Sequence, residues 1–182
     1  MSIHKITVFG VEDTASQIAF RAAVYGFKVI LFDVNEQALT KAMASIREIG
    51  SAYGAAIGIT VQEIEMVLRT IFCTVNLAEA SKDADLIIEA ALGNEPVKKS
   101  FYKLLGSVTP EKTIFATTPA TLLSNTIVKE SGRPERLLAL NFDEELFNNN
   151  RAGVMGHAGT HPENVKIVTE FIEAIGMVAQ PV

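Results

Sequence analysis

The chain has 182 residues, of which 48% are hydrophobic, and its formal net charge is −5. This length suits one domain with a sizeable core, and the composition is that of a globular rather than a disordered chain. The acidic balance argues against nucleic acid as a partner, and no apolar run reaches the roughly 18 residues of a membrane span.

The N-terminus leads directly into an apolar strand, so the sequence has no signal-peptide pattern. The single cysteine, Cys73, lies in an apolar stretch and is interpreted as a buried strand residue rather than a reactive thiol. We therefore expect a cytoplasmic protein.

The first elements are a strand at residues 6–9, a tight turn and a helix that ends before Gly26. Asp13 or Thr14 is expected to cap this helix. Strand, glycine turn and helix start form the layout of a dinucleotide-binding fingerprint, in which pyrophosphate lies on the helix N-terminus.

The fingerprint is only partly present. Gly10 holds the first glycine position and Ala15 the third, where alanine is tolerated. Glu12 holds the second, where glycine normally lets the backbone approach phosphate. We expect the Glu12 carboxylate, with Asp13 beside it, to accept the free N–H groups of the helix in place of phosphate. A phosphate within ~4 Å of this carboxylate would lose about a thousand-fold in affinity.

The second strand, residues 28–33, ends on Asp33. An acid roughly 20 residues after the glycine turn hydrogen-bonds the adenosine ribose and selects NAD over NADP. The alternative is that Asp33 caps the following helix. We favour the ribose role because the acid directly follows the second strand.

The rest of the chain alternates between helices and strands. Helices are expected at residues 35–53 and 60–68, the second opened by a capping box, and they form a helical pair before the third strand. Further strands are expected at residues 71–75, 84–90, 113–117 and 136–142 and from Met177, with helices at 76–80, 96–105, 122–130 and 162–175. Residues 151–157 are interpreted as a loop. The pattern predicts an α/β protein with a doubly wound, mostly parallel, Rossmann-like sheet, as one domain over residues 1–182.

Several segments together resemble a known family. They read KITVFG from Lys5, GFKV from Gly26, DADLIIEA from Asp83, PEKTIFAT from Pro110 and GRPER from Gly132. The chain resembles, over nearly its whole length, the N-terminal NAD-binding domain of the 3-hydroxyacyl-CoA dehydrogenases. The resemblance implies NAD as cofactor and hydride transfer between 3-hydroxyacyl-CoA and 3-ketoacyl-CoA. The family continues into a dimerising helical domain, so we expect that the protein is either naturally short or cut near Val182.

The family's catalytic positions carry other residues here. The resemblance places the family's acid/base histidine at Asn141, its glutamate partner at Gly153, its substrate-contacting serine at Ala120 and a nearby asparagine at Glu144. A carboxamide does not shuttle protons near neutral pH. We therefore predict a catalytically inactive domain.

The cofactor positions implied by the resemblance are only partly retained. They are Gly10, Glu12, Ala15, Asp33, Gly93 and Lys98, and Gly93 replaces a glutamate that lies near the nicotinamide ribose in the family. Because Glu12 opposes the pyrophosphate, we predict that NAD binds weakly or not at all, with an affinity weaker than millimolar.

Other candidates stay open or are set aside. Lys41, Arg47 and Arg69 either meet the phosphates of an acyl-CoA, as this element does in the family, or are scattered surface cations. His157 and His161 lie among glycines and before a proline, so we interpret them as loop histidines rather than a metal pair, and predict no metal site.

Two alternatives to an enzyme relic remain. One is a pseudoenzyme interaction module that pairs with a second copy or a homologous dehydrogenase. The other is an acyl-CoA or nucleotide sensor without chemistry. For the first, we expect an exposed apolar patch formed by Leu146, Phe147, Met177 and Val178.

Overall fold

A computed structural model describes residues 2–91, 93–118, 124–142, 146–147 and 149–181. The strands are β1 (Lys5–Phe9), β2 (Lys28–Phe32), β3 (Ile71–Thr74), β4 (Leu86–Glu89), β5 (Ile114–Thr117), β6 (Leu137–Phe142), β7 (Arg151–Gly156) and β8 (Val178–Pro181). The helices are α1 (Asp13–Val24), α2 (Glu36–Ile57), α3 (Val61–Leu68), α4 (Leu77–Ser81), α5 (Glu95–Val108), α6 (Asn125–Glu130) and α7 (Pro162–Ala174).

The strands form one sheet in the order β3-β2-β1-β4-β5-β6-β7-β8. Pairing is parallel from β3 to β6, antiparallel between β6 and β7, and parallel between β7 and β8. The strand order reverses direction between β1 and β4, which makes this pair the topological switch point where such sheets bind ligands. The predicted doubly wound, mostly parallel sheet is confirmed.

Both faces of the central strands are buried, which explains their continuous apolar sequences. In β1, Ile6 and Val8 belong to the larger core cluster, whereas Phe9 belongs to the cluster on the other face. In β2, Leu31 and Phe32 divide in the same way. Helices cover both faces of the sheet, so a ligand cannot bind on either face of the central strands. In sheets of this type ligands bind at the edge formed by the carboxyl ends of the strands.

The helical pair between β2 and β3 is present as predicted. Asn35 caps α2 by accepting the N–H groups of Gln37 and Ala38, and Gly58 ends the helix with φ of 76°. Helix α2 therefore runs to Ile57, beyond the expected end at residue 53. Thr60 and Glu63 form the expected capping box of α3.

The structure corrects two further expectations. Residues 151–156 form β7 rather than a loop, with Ala152 and Val154 buried and the alternate residues less so. Two glycines obscure this alternation, because glycine weakens a strand pattern. Helix α1 begins at Asp13 after Glu12, so neither Asp13 nor Thr14 is its N-cap.

Candidate functional site

The turn after β1 requires glycine at its first position. Gly10 has φ of 110°, and a Cβ there would lie 2.9 Å from backbone atoms of both Ala90 and Ala91. Two backbone hydrogen bonds fix this approach, from Gly10 N–H to Phe32 O at 3.0 Å and from Ala90 N–H to Phe9 O at 2.8 Å. Gly10 thus lets the ends of β1, β2 and β4 meet.

The start of α1 differs from what we expected. Glu12 is exposed at the N-cap position with φ of −69°, and its side chain makes no capping hydrogen bond. The expectation that its carboxylate would fill the phosphate position by binding the helix N–H groups is therefore wrong. Glutamate is not among the preferred N-cap residues, and this longer side chain extends into solvent. Ala15, at the third position, is fully buried where the helix packs on the sheet.

A cavity of ≈ 250 Å³ opens at the carboxyl ends of β1, β2 and β4. It is lined by Phe9, Gly10, Phe32, Asp33, Val34, Glu89, Ala91, Val97, Lys98 and Phe101. Ligand pockets usually measure about 300–1,000 Å³. The cavity therefore has room for a part of a dinucleotide, at the switch point of the sheet.

Asp33 lies in this cavity and is not a helix cap. Its Oδ1 accepts the Asn35 N–H at 2.9 Å, and it is Asn35 that caps α2. Because the capping alternative is wrong, the half-buried Asp33 carboxylate remains a lining group at the end of β2.

Lys98 is buried in an ion pair. Its Nζ lies 2.7 Å from Oε2 of Glu89, which also accepts the Thr117 hydroxyl at 2.9 Å. Glu89 Oε1 accepts the Ala91 N–H at 3.1 Å. Burial and the nearby Glu89 carboxylate raise the pKa of the Tyr102 phenol well above its ordinary value. Because Glu89 pairs with Lys98, the positive charge that Lys98 brings to the cavity wall is neutralised.

The space around Gly93 does not require a glycine at this position. A Cβ at this position would make ordinary contacts, of which the nearest is 3.5 Å to Val97. The backbone therefore has room for a side chain here, such as the glutamate of the family.

Asn141 and Gly153 are directly opposite each other across β6 and β7. Asn141 is exposed at the carboxyl end of β6. The fold thus brings together the two positions that the resemblance pairs, although it offers neither an imidazole nor a carboxylate there. Ala120 and Glu144, the other two positions to which the resemblance assigns catalytic residues of the family, lie outside the described residues.

Three of the remaining polar candidates, His157, His161 and Arg47, have partners within the described residues. His157 Nδ1 accepts the Gly159 N–H at 3.0 Å, and His161 Nδ1 accepts the Glu163 N–H at 3.2 Å, as expected of loop histidines. Within the described ranges, no group of three or more His, Cys, Asp or Glu side chains is placed to hold a metal ion. Arg47 forms a two-pronged ion pair with Glu65, at 2.9 and 3.3 Å.

The expected apolar patch is not present as predicted, because Leu146 and Met177 are buried. Sequence reasoning missed Arg21, a buried α1 residue that organises this region. Its guanidinium donates hydrogen bonds of 2.7–2.8 Å to four acceptors, namely Leu146 O, Asn150 Oδ1, Ile175 O and Gly176 O. An arginine on the apolar face of a predicted helix was the available signal.

Strand order, the Gly10 turn and the Asp33 cavity define a dinucleotide-binding α/β domain of the Rossmann type. None of the helices in the described part of the chain is long and apolar enough to cross a membrane. The chain belongs to the 3-hydroxyacyl-CoA dehydrogenase family, since the NAD binding domain of that family matches residues 5–182. NAD is accordingly the cofactor of this domain type.

Individual relatives agree with this assignment. The chain is 30% identical over 186 residues to a probable 3-hydroxybutyryl-CoA dehydrogenase of Bacillus subtilis, covering 98% of this chain and 62% of that protein. It is 26% identical to human mitochondrial hydroxyacyl-coenzyme A dehydrogenase, covering 96% and 57%. The solved structure of a diketoreductase acting on dicarbonyl compounds superposes with a TM-score of 0.96 at 39% identity, covering 100% and 65%. The chain thus spans less than two thirds of each of these relatives.

Proposed function

We propose that this chain is a non-catalytic member of the family, a nucleotide-binding module that does not carry out hydride transfer. The observation that carries the proposal is the placement of Asn141 opposite Gly153 across β6 and β7. The expected reaction interconverts a hydroxyl and a carbonyl, so a proton must move as the hydride does. A carboxamide facing a glycine offers no group that exchanges a proton near neutral pH.

What this chain lacks for acid–base catalysis is suitable side chains at these two positions, since the backbone pairing is present. Residues directly opposite in an antiparallel pair have Cβ atoms about 4.5–5.5 Å apart, within reach of an imidazole and a carboxylate. The pairing of these two positions is intact in the sheet. General acid–base catalysis typically contributes about 10²–10⁴-fold, which is the scale of the loss we expect.

The described residues fit one part of NAD, the adenosine, and do not fit another, the pyrophosphate. NAD, when bound, supplies the hydride acceptor of the family reaction. Gly10, Asp33 and the cavity suit its adenosine portion. Glu12 does not suit its pyrophosphate, because an exposed carboxylate stands where the fingerprint has glycine. We therefore propose weak NAD binding and no catalytic step.

The direct test follows NADH oxidation with acetoacetyl-CoA at high protein concentration. We expect a rate at background, with an active dehydrogenase of the family as positive control. A turnover near one per second would show that the proposal is wrong.

A second test examines the pairing without relying on activity. In Asn141→His, and in the same variant combined with Gly153→Glu, NMR measures the pKa of the introduced imidazole. We expect a higher pKa in the double variant, because a carboxylate opposite the ring favours its charged form. Equal values would show that the two positions do not act as a pair.

A further inference from the structure

We propose that the cavity at the β1–β2–β4 edge binds a purine nucleoside without a 5′ phosphate, accepting neutral or cationic 5′ groups and rejecting anionic ones. This inference rests on the proposed non-catalytic binding role, in which NAD binds weakly, and it narrows the ligand of the cavity from a nucleotide to a nucleoside. It starts from the disagreement within the site, where the cavity suits a nucleoside and the adjoining helix start opposes a phosphate.

The charges around the cavity mouth are negative. Lys98 is the only cation among the described lining residues, and its ion pair with Glu89 leaves the two together neutral. Asp33 lines the cavity and Glu12 lies exposed at the adjoining helix start. Across the described residues, neither of these two carboxylates forms an ion pair. A 5′ phosphate, with a charge of about −1.5 to −2, would be repelled here, whereas an ammonium group would be attracted.

The walls of the cavity are apolar and suit a flat ring. Val34, in the β2–α2 connection, is 84% exposed, and Val97, in the first turn of α5, is 58% exposed. Phe9 and Phe101 form an edge-to-face pair at 5.1 Å that adds aromatic surface. A purine held among these side chains would cover apolar surface that now faces water.

Asp33 supplies the polar anchor for the sugar. Its Oδ1 accepts the Asn35 N–H, and its Oδ2 has no hydrogen-bond donor among the described residues. A carboxylate at the end of the second strand of this fold is placed to accept hydrogen bonds from ribose hydroxyls. The cavity thus offers contacts for a base and a ribose, and it repels the phosphate that a nucleotide carries on its 5′ carbon.

The test varies the charge at the 5′ position alone. Calorimetry and NMR on the full chain measure dissociation constants for 5′-amino-5′-deoxyadenosine, adenosine and AMP. We expect the amine to bind at least as tightly as adenosine, and AMP about tenfold more weakly or worse. The methyl signals of Val34 and Val97 should shift on binding.

Two variants assign the selectivity to Glu12. In Glu12→Gln, which keeps the side-chain size, the affinities for adenosine and AMP should converge to within about threefold. Glu163→Gln is the matched control, because Glu163 is an exposed acid in the first turn of α7, which follows the opposite end of the sheet. It should leave the order of affinities unchanged.

Four results would overturn the inference: AMP binding more tightly than adenosine, selectivity unchanged in Glu12→Gln, no nucleoside binding at millimolar concentration, or methyl shifts confined to another region. Failure of the proposed function is separate, since it would appear as hydride-transfer turnover. A reversed order of affinities would overturn the ligand class and leave the non-catalytic role standing.

Discussion

The Lys98 ammonium lies 2.7 Å from the Glu89 carboxylate, and the two side chains are only 3% and 2% exposed. Lys98 also reaches Thr118 O at 3.4 Å. A buried cation in such a pair is committed to its partner, because separating them would leave an uncompensated charge in the interior. Lys98 therefore stabilises the wall of the cavity and contributes no free positive charge at its mouth.

Lys98→Met should lower the free energy of unfolding by about 3–5 kcal/mol, because it leaves Glu89 as a buried carboxylate without a partner cation. Adding Glu89→Gln should recover part of this loss. Urea denaturation measures both. Lys99→Met is the control, since Lys99 is about half exposed in its 3.5 Å pair with Glu130, and it should change stability by less than about 1 kcal/mol. Similar losses at Lys98 and Lys99 would contradict the role given to the buried pair.

Gly10→Ala should cost at least about 2 kcal/mol of unfolding free energy, because it combines a positive φ with a Cβ 2.9 Å from neighbouring backbone. Gly26→Ala measures the cost of the positive φ alone. Gly26 also has a positive φ, but no atom lies within 4 Å of the position that its Cβ would occupy. That variant should cost only about 1 kcal/mol. Equal losses in denaturation would mean that the turn relaxes around the added methyl.

Asp85 should make the free energy of unfolding fall as the pH is lowered into the acid range. Its burial opposes ionisation, but hydrogen bonds from the Lys112 ammonium and from the N–H groups of His4 and Lys5 prevail and lower its pKa. Since the pKa is lower in the folded state, this stabilisation is present above the unfolded pKa of about 3.9 and is lost as pH falls through the folded value.

The comparison for Asp85 is Asp85→Asn against the wild type, by urea denaturation between pH 7 and pH 2. The advantage of the wild type should shrink below about pH 4. Asp83→Asn is the control, because Asp83 is exposed in its pair with Lys5 and should show little of this dependence. A constant difference across the range would speak against ionised Asp85 as the source.

Glu12→Gly should raise the affinity for NAD at least about tenfold while turnover stays at background. The change removes the carboxylate and restores the backbone approach, but it leaves Asn141 and Gly153 as they are. NADH fluorescence titrations of both proteins measure it. Micromolar binding by the unmutated protein, or no gain in the variant, would show that Glu12 does not limit binding.

Much of the fold can be predicted from local sequence. Residues 29–32 are a continuous apolar run because this part of β2 is buried on both faces, and the capping box at Thr60 marks the start of α3 directly. Strand β7 was missed because Gly153 and Gly156 interrupt its alternation. Its place between β6 and β8 depends on contacts between distant segments, which no local pattern records.

The site was predictable to a similar extent. The position of Gly10 and Asp33 at one edge follows from parallel strands ending together. The burial of Leu146 was not predictable locally, because it depends on Arg21 and Gln17, which hydrogen-bond its carbonyl and N–H groups from α1. The pairing of Lys98 with Glu89 likewise depends on the docking of α5 against β4.

The cross-strand position of Asn141 and Gly153 also bears on how an acid–base pair would have to be introduced into this chain. Residues that act as a unit in catalysis are strongly non-additive, so restoring one of them alone gains little. Under the proposed non-catalytic role, a histidine introduced at Asn141 alone would face a glycine, and a glutamate introduced at Gly153 alone would face an amide. Catalysis would then be expected only when both positions are changed together.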